Sequence, residues 1–380
     1  MKHYDYIFAG AGCAGLSMVY HLLNSPFRNS KILLLDPNLG QIPDKTWCYW
    51  AEKPLPIHPR NAIHSWNQLS LSSNYDKATH QMENLQYFHI NSRDFFEHIY
   101  SFLKSHPNVT HEQNAVNQII EKENSVEVFT SNDTIYQGNY IFDSRLTDSD
   151  HLGSKALKQI FAGWKIETDQ NIFDKSTFTM MEWTQSEKGL FDFFYILPYH
   201  SKSALIEYTA YSRQDISQEI LNAKIKEYLE EKFGGIAYEI TFQEKGVIPM
   251  TTQIKAPDFS KRIIPIGTKA GWTKASTGYT FHTIQKRAQS LVNQLVSGEN
   301  NIKTEKSPAR FRFYDNILLN IAHKWPHELK GIFEDLFKRN ETDLVMKFLG
   351  EETSLFQEIK LLSRLRFPIF IKSLLNYEKH

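Results

Sequence analysis

Three glycines, Gly10, Gly12 and Gly15, sit between a short apolar strand and a helix, and no other feature of the chain limits its fold so tightly. Strand Tyr4–Ala9 leads into them and helix Ala14–Leu23 follows. A second strand, Lys31–Leu35, ends in Asp36. This is the G-x-G-x-x-G turn of a parallel βαβ unit. Gly10 permits the tight turn. Gly12 leaves room for a pyrophosphate against backbone, and Gly15 lets helix and strand pack closely. Ala11 lies on the same loop. The helix N-terminus offers free N–H groups and positive potential to phosphate. Asp36, about 20 residues beyond, can bind ribose hydroxyls. The unit predicts a dinucleotide site, and the motif alone leaves FAD and NAD both open.

Downstream, residues 41–75 read as turn-rich, with Pro43, Pro54, Pro56 and Pro59. Asp94–Leu103 reads as a helix, and residues 115–142 alternate like a strand meander. Strand patterns dominate from about 159 to 250, interrupted by a helix over Ile216–Phe233. Arg262–Ile266 is a further short strand, Phe281–Val296 a helix, and the pattern from Pro308 onward is helical. The expected fold class is α/β: an FAD/NAD(P)-binding, Rossmann-like parallel sheet, an inserted antiparallel-sheet substrate region and a helical C-terminus. The expected domains are 1–155 with 255–300 for the nucleotide, 156–254 for substrate, and 301–380 for the C-terminal helices.

Basic and acidic residues balance at 43 each, so no overall field points to nucleic acid. The two cysteines, Cys13 and Cys48, exclude a disulfide framework. The histidines form no ligand-spaced pair, so no metal is assigned. The N-terminus enters a strand at once, without a secretory pattern, and no run of about 18 apolar residues suggests a membrane span. A cytoplasmic protein, soluble or lying on a membrane surface, is expected, with no obligate protein partner. Residues 359–372 hold only positive charges among apolar side chains. They suit an anionic membrane interface or a terminal helix docked on the protein equally well.

A second glycine-rich element favours FAD over NAD. Strand Arg262–Ile266 runs into Gly267-Thr268-Lys269-Ala270-Gly271, then Ser276-Thr277-Gly278-Tyr279, then a helix. In FAD proteins of this architecture such an element returns to the ribityl chain and the isoalloxazine. Helix N–H groups there stabilise negative charge on a reduced flavin. An ordinary helix-capping loop is the alternative.

Seven separated segments carry a family resemblance: GAGCAGLSMVYHLL at 10–23, DKTWCYW at 44–50, FDSR at 142–145, FAGWKIET at 161–168, FYILPYHSKSALIEYT at 194–209, EKGVIPM at 244–250 and IPIGTKAGWTKASTGYTF at 264–281. In this order they resemble the lycopene cyclases. The resemblance implies a two-domain FAD/NAD(P)-binding fold, FAD kept reduced by NAD(P)H, and a redox-neutral reaction on the polyene lycopene at a membrane. Acyclic ψ-ends would become β-ionone rings, giving γ-carotene and β-carotene. Gly267, Thr268, Gly271 and Gly278 become flavin-proximal positions. In the family a Leu/Ile-Glu-acidic-Thr segment after a Pro-aromatic strand carries the essential acid. Here it is Leu205-Ile206-Glu207-Tyr208-Thr209, so Glu207 matches the acid and Tyr208 departs from the pattern. A look-alike, Phe348-Leu349-Gly350-Glu351-Glu352-Thr353, lies in the helical region, where Glu351 and Glu352 read as a solvated turn.

Ring closure needs a strong acid in a dry pocket, negative charge or π-density beside the cation, and a final base. Desolvation keeps a carboxylic acid protonated near neutral pH. Strand alternation puts Leu205, Glu207 and Thr209 on one face. Without the resemblance, Glu207 reads better as an exposed residue. Trp47, Trp50, Trp183 and Tyr208 are aromatic candidates, Glu244 is a candidate base, and Arg145 can contact flavin or phosphate or form a surface salt bridge. Rival functions are a flavin-dependent monooxygenase or reductase on an isoprenoid or aromatic substrate, and a non-catalytic carotenoid-binding flavoprotein.

Overall fold

The computed structural model describes residues 2–60, 63–72, 77–146, 156–184, 189–254, 260–299 and 301–380. The βαβ unit forms as the glycines require, from β1 (Lys2–Ala9), α1 (Cys13–Leu23) and β2 (Ile32–Leu35). Every residue of β2 is buried, as expected for a parallel strand with both faces covered.

The proline-rich stretch differs from expectation. It contains β3 (Thr46–Ala51), β4 (His64–Trp66) and β5 (Gln68–Ser72), followed by β6 (Lys77–Gln81) and β7 (Gln86–Asn91). Pro43 precedes β3, Pro54, Pro56 and Pro59 lie between β3 and β4, and the strands are stabilised by distant partners. β3 and β4 flank β7 in a small antiparallel sheet, while β5 pairs with β6 at the edge of the large sheet described below. α2 (Ser92–Leu103) starts where the Asn91 side chain accepts from the Arg93 N–H. β8 (Val109–Glu112), β9 (Val116–Glu121), β10 (Val126–Thr130) and β11 (Ile135–Asp143) complete the nucleotide sheet, in the order β8-β2-β1-β11-β10-β9.

The second large sheet comprises β12 (Leu157–Thr168), β13 (Thr177–Trp183), β14 (Phe191–His200), β15 (Ser203–Ser212) and, after α3 (Gln218–Phe233), β16 (Tyr238–Met250). Its order is β16-β12-β15-β14-β13-β5-β6, so β5 and β6 extend it. All its pairs are antiparallel except β13 with β5. The Ser217 side chain caps α3. That helix covers one face, where Ile160, Ala162, Ile206 and Tyr208 pack on Leu221 and Ile225.

The chain then returns to the nucleotide sheet through β17 (Ile263–Pro265), parallel to β11, and α4 (Phe281–Val296), which packs on α1. Helices α5 (Ala309–Lys324), α6 (Glu328–Lys338), α7 (Thr342–Leu349), α8 (Leu355–Leu362) and α9 (Phe367–Leu375) follow. Their apolar residues Ile317, Phe333, Leu344 and Leu361 share a core with Leu205, Tyr211 and Phe193 on the free face of the second sheet. The expected domain boundaries at 155 and 255 fall among residues 147–155 and 255–259, outside the described residues.

Candidate active site

One cavity of about 600 Å³ runs from the glycine loops to the face of the second sheet. Gly12, Cys13 and Ala14 line its first end, together with Ser144, Gly267, Thr268 and Gly278. No side chain caps α1, so its N-terminal N–H groups stay available to an anion. Gly10 has φ 107°, a left-handed conformation that glycine tolerates. A Cβ at Gly15 would lie 2.2 Å from the Gly10 carbonyl oxygen, so helix and turn touch only because that position has no side chain. At Gly12 a Cβ would meet nothing within 4 Å: open space faces the loop. Asp36 accepts from the Ala11 N–H at 2.8 Å through Oδ2 and from the Asn38 N–H through Oδ1. These features form a cradle suited to a dinucleotide.

Of the expected residues, Gly10, Ala11, Gly15 and Asp36 sit behind the lining of this cavity, and Gly271 and Arg145 are engaged elsewhere. Gly271, at φ 73°, ends the short turn Gly267–Ala270 and faces a separate hollow lined by Ile254, Ala270 and Arg312. Arg145 binds Asp143 bidentately, with Nε to Oδ1 at 2.7 Å and Nη2 to Oδ2 at 3.0 Å. Its Nη1 donates to the Val116 carbonyl. Lys269 also pairs with Asp143 at 3.0 Å, which ties the end of β11 to the second glycine loop. Burial raises the Asp143 pKa, but the two cations outweigh it and hold the carboxyl below the usual range.

At the far end Glu244, Gly163, Glu207 and Tyr195 stand in register across β16, β12, β15 and β14. Both glutamates line the cavity. Glu207 keeps some surface because it opens onto that cavity, yet protein surrounds its carboxyl. Burial, then the neighbouring Glu244, push its pKa from 4.5 to about 8. The Thr209 hydroxyl donates to Glu207 Oε1 at 2.6 Å. Glu244, 6% exposed, accepts from the Thr46 N–H at 2.9 Å through Oε2. Burial also raises its pKa, and the Thr46 N–H opposes that shift.

Aromatic residues wall the same space. The Tyr195 hydroxyl donates to Tyr87 Oη at 2.8 Å and contacts Cys48 Sγ, and Tyr87 hydrogen-bonds Tyr279 at 2.8 Å. Burial raises the pKa of all three phenols, so they stay neutral. Trp50 meets the Tyr279 ring edge-on at 4.7 Å. Trp47 lines the cavity and stacks on Phe281. Trp183 packs against Phe333. Tyr208 points to the α3 face, where its hydroxyl donates to Asp192 at 2.6 Å. Tyr87, Tyr195 and Tyr279 did not emerge as site residues from the sequence. Tyr195 and Tyr279 lie within the FYILPY and STGY segments, but only strand register places the first opposite Glu207.

Of the look-alike carboxylates, Glu352 is exposed, as expected for a solvated turn, but Glu351 is not. Glu351 follows α7 at φ 60°, and its side chain is only 14% exposed. Lys274 Nζ lies 3.1 Å from the partly buried Glu351 and 2.7 Å from the buried Asp315. This triad fastens the second glycine loop to α5 and the end of α7. Neither Glu351 nor Glu352 lines the cavity. Glu352 approaches His282 and Lys286.

The fold is that of the FAD-binding, Rossmann-like flavoproteins, with a parallel sheet, an antiparallel sheet and C-terminal helices. A geranylgeranyl bacteriochlorophyll reductase-like protein from Thermoplasma acidophilum superposes with TM-score 0.64 at 11% identity, over 98% of this chain and 99% of that one. The p-nitrophenol 4-monooxygenase PnpA from Pseudomonas putida gives TM-score 0.57 at 10% identity, over 99% and 98%. A mutant of the halogenase PltM in complex with FAD gives 0.54 at 11%, over 91% and 79%. No curated protein sequence matches the chain. The family profile described as "Lycopene cyclase protein" matches residues 5–376, and the chain belongs to that family.

Proposed function

We propose that the protein is an FAD-dependent lycopene β-cyclase, with Glu207 as the acid. The observation that carries this reading is a buried carboxyl, held protonated near neutral pH, at the far end of a cavity that begins at two glycine loops. The N-terminus of α1 with Gly10, Ala11, Gly12 and Gly15 would hold the pyrophosphate, and Asp36 the ribose. Gly267, Thr268 and Gly278 would lie along the flavin. Gly271 and Arg145 support that region through the loop cap and through Asp143. Bound FAD, kept reduced by NAD(P)H, would supply negative charge and a π face beside a carbocation.

Glu207 delivers its proton to the terminal double bond of a ψ-end, which leaves a tertiary cation. A neighbouring double bond attacks that centre and closes the ring. Tyr87, Tyr195 and Tyr279 present neutral, electron-rich surfaces to the cation, and the apolar lining excludes water that would capture it. Proton loss ends the reaction, and product and substrate are isomers. The test is conversion of lycopene in liposomes by wild-type protein and by Glu207→Gln, with pigments separated by chromatography and their masses then checked.

Two further outcomes follow. Gly15→Ala forces a Cβ against the Gly10 carbonyl. Overpacking of about 1–3 kcal/mol should weaken flavin binding about tenfold or more, read by flavin absorbance after gel filtration. Full retention would contradict the assignment of this loop.

Among the described residues, no helix is long and apolar enough to cross a membrane. We place the route to a lipid-dissolved substrate at α8 and α9. Phe356 is 78% exposed and Leu375 81%, and Ile359, Phe367 and Ile371 are exposed as well. Lys360, Arg364, Arg366 and Lys372 lie among them, suiting an anionic interface. Phe356→Ser with Leu375→Ser removes about 1.5–3 kcal/mol of burial per side chain. Flotation with liposomes containing anionic lipid should fall more than about tenfold. Unchanged flotation would move the docking face elsewhere.

A further inference from the structure

Gly163 is the cross-strand partner of both Glu207 and Glu244. A Cβ built on it would lie 3.5 Å from Glu207 Cβ and 3.3 Å from Glu244 Cγ. The central strand therefore leaves a gap of one missing side chain between two buried carboxyls that line one cavity. Their surroundings differ. Glu244 takes a backbone N–H from Thr46, a donor that favours a carboxylate, and its Oε1 is buried with no hydrogen-bond partner among the described residues. Glu207 has only a hydroxyl donor, Thr209.

The groups facing this pair leave its charge largely uncompensated. Burial pushes the Cys48 thiol up to about 12 and raises the Tyr195, Tyr199 and Tyr279 phenols, so all stay neutral. Asp44 adds negative charge near Glu244, and Lys45 is the facing cation. Lys45 Nζ is held by the Lys245 carbonyl.

We propose that Glu244 is a second catalytic carboxylate, the ionised partner that keeps the proton on Glu207 and then accepts the proton released at ring closure. The proposal rests on the acid role of Glu207. The atoms balance. The Glu207 proton forms a C–H bond as the terminal π bond is consumed. The neighbouring π bond forms the ring C–C bond, and the resulting cation loses a proton to Glu244 as a C=C re-forms. Glu207 is then ionised and Glu244 protonated. Transfer of that proton across the Gly163 gap restores the starting state, with no oxidant or reductant consumed.

The test combines infrared titration of the buried carboxylic C=O band with turnover, in wild type, Glu207→Gln and Glu244→Gln. The Gln at 244 can still accept from the Thr46 N–H, so the fold is preserved. The band should titrate near pH 8 in wild type and vanish in Glu207→Gln. In Glu244→Gln its midpoint should move down by about one unit or more, because the like charge is gone. Turnover of that variant should fall about 10²-fold or more with KM little changed. An unshifted midpoint removes the pairing, and undiminished turnover removes the base; either result overturns the proposal. A wild-type protein that leaves lycopene unchanged overturns the underlying acid reading as well, and the infrared arm tells that failure from loss of the pairing alone.

Discussion

Glu207→Gln should lower cyclisation by about 10²–10⁴-fold, the usual contribution of a positioned acid, while bound flavin is retained. Gln has nearly the shape of Glu and can still accept from the Thr209 hydroxyl, so a large loss would report the missing proton rather than a collapsed pocket. Wild-type activity should fall as pH rises through about 8, where the acid ionises. Stability should move with the same group. Its pKa is raised from 4.5 to about 8, so the native state holds the proton more tightly than the unfolded chain. That contribution is intact below pH 4.5 and is lost progressively as pH rises through about 8. Gln carries no buried charge. The variant should therefore gain stability relative to wild type across that window and keep the advantage above it. Denaturation at pH 5 and pH 9 checks the sign, and an equal difference at both would mean that Glu207 is already ionised or exposed.

Lys274→Ala should cost about 3–5 kcal/mol, the range for breaking a buried ion pair. Lys274 is 8% exposed, between Asp315 at 5% and Glu351 at 14%. Burial works against its charge, but the two carboxylates outweigh that and raise its pKa. Without it, two acidic groups face each other in a desolvated pocket, with Arg287 4.0 Å from Glu351. The same change loosens the Lys274–Tyr279 turn, where the Gly278 N–H donates to the Lys274 carbonyl. Flavin retention should fall along with stability. Adding Asp315→Asn and Glu351→Gln to Lys274→Met should recover part of the loss, since no buried charge then lacks a partner. A denaturation midpoint change equivalent to less than about 1 kcal/mol, as for an exposed pair, would contradict this account.

Local chemistry made much of the fold legible. β1, α1 and β2 follow from glycine spacing and apolar runs, and α4 spans the predicted residues. Period-2 alternation placed Glu207 and Thr209 on the face opposite Tyr208, as the structure has them. What escaped depends on long-range pairing. β3 and β4 are short, aromatic and set among prolines, and their strand character comes from β7. β5 is stabilised by β13, more than a hundred residues away in sequence. The juxtaposition of Glu244 with Glu207 needs the register of two strands against β12, which no local pattern encodes. Glu351 read as solvated because the Lys274 that buries it lies in another part of the chain.

The most direct test of the central claim follows lycopene in liposomes with flavin-loaded, anaerobically reduced protein. Pigments are separated by chromatography, and their mass and the NAD(P)H are recorded together. The account predicts a cyclic product of unchanged mass, no net use of reductant, and loss of the product in Glu207→Gln. A product of altered mass formed with stoichiometric reductant, or one that survives Glu207→Gln, would contradict it.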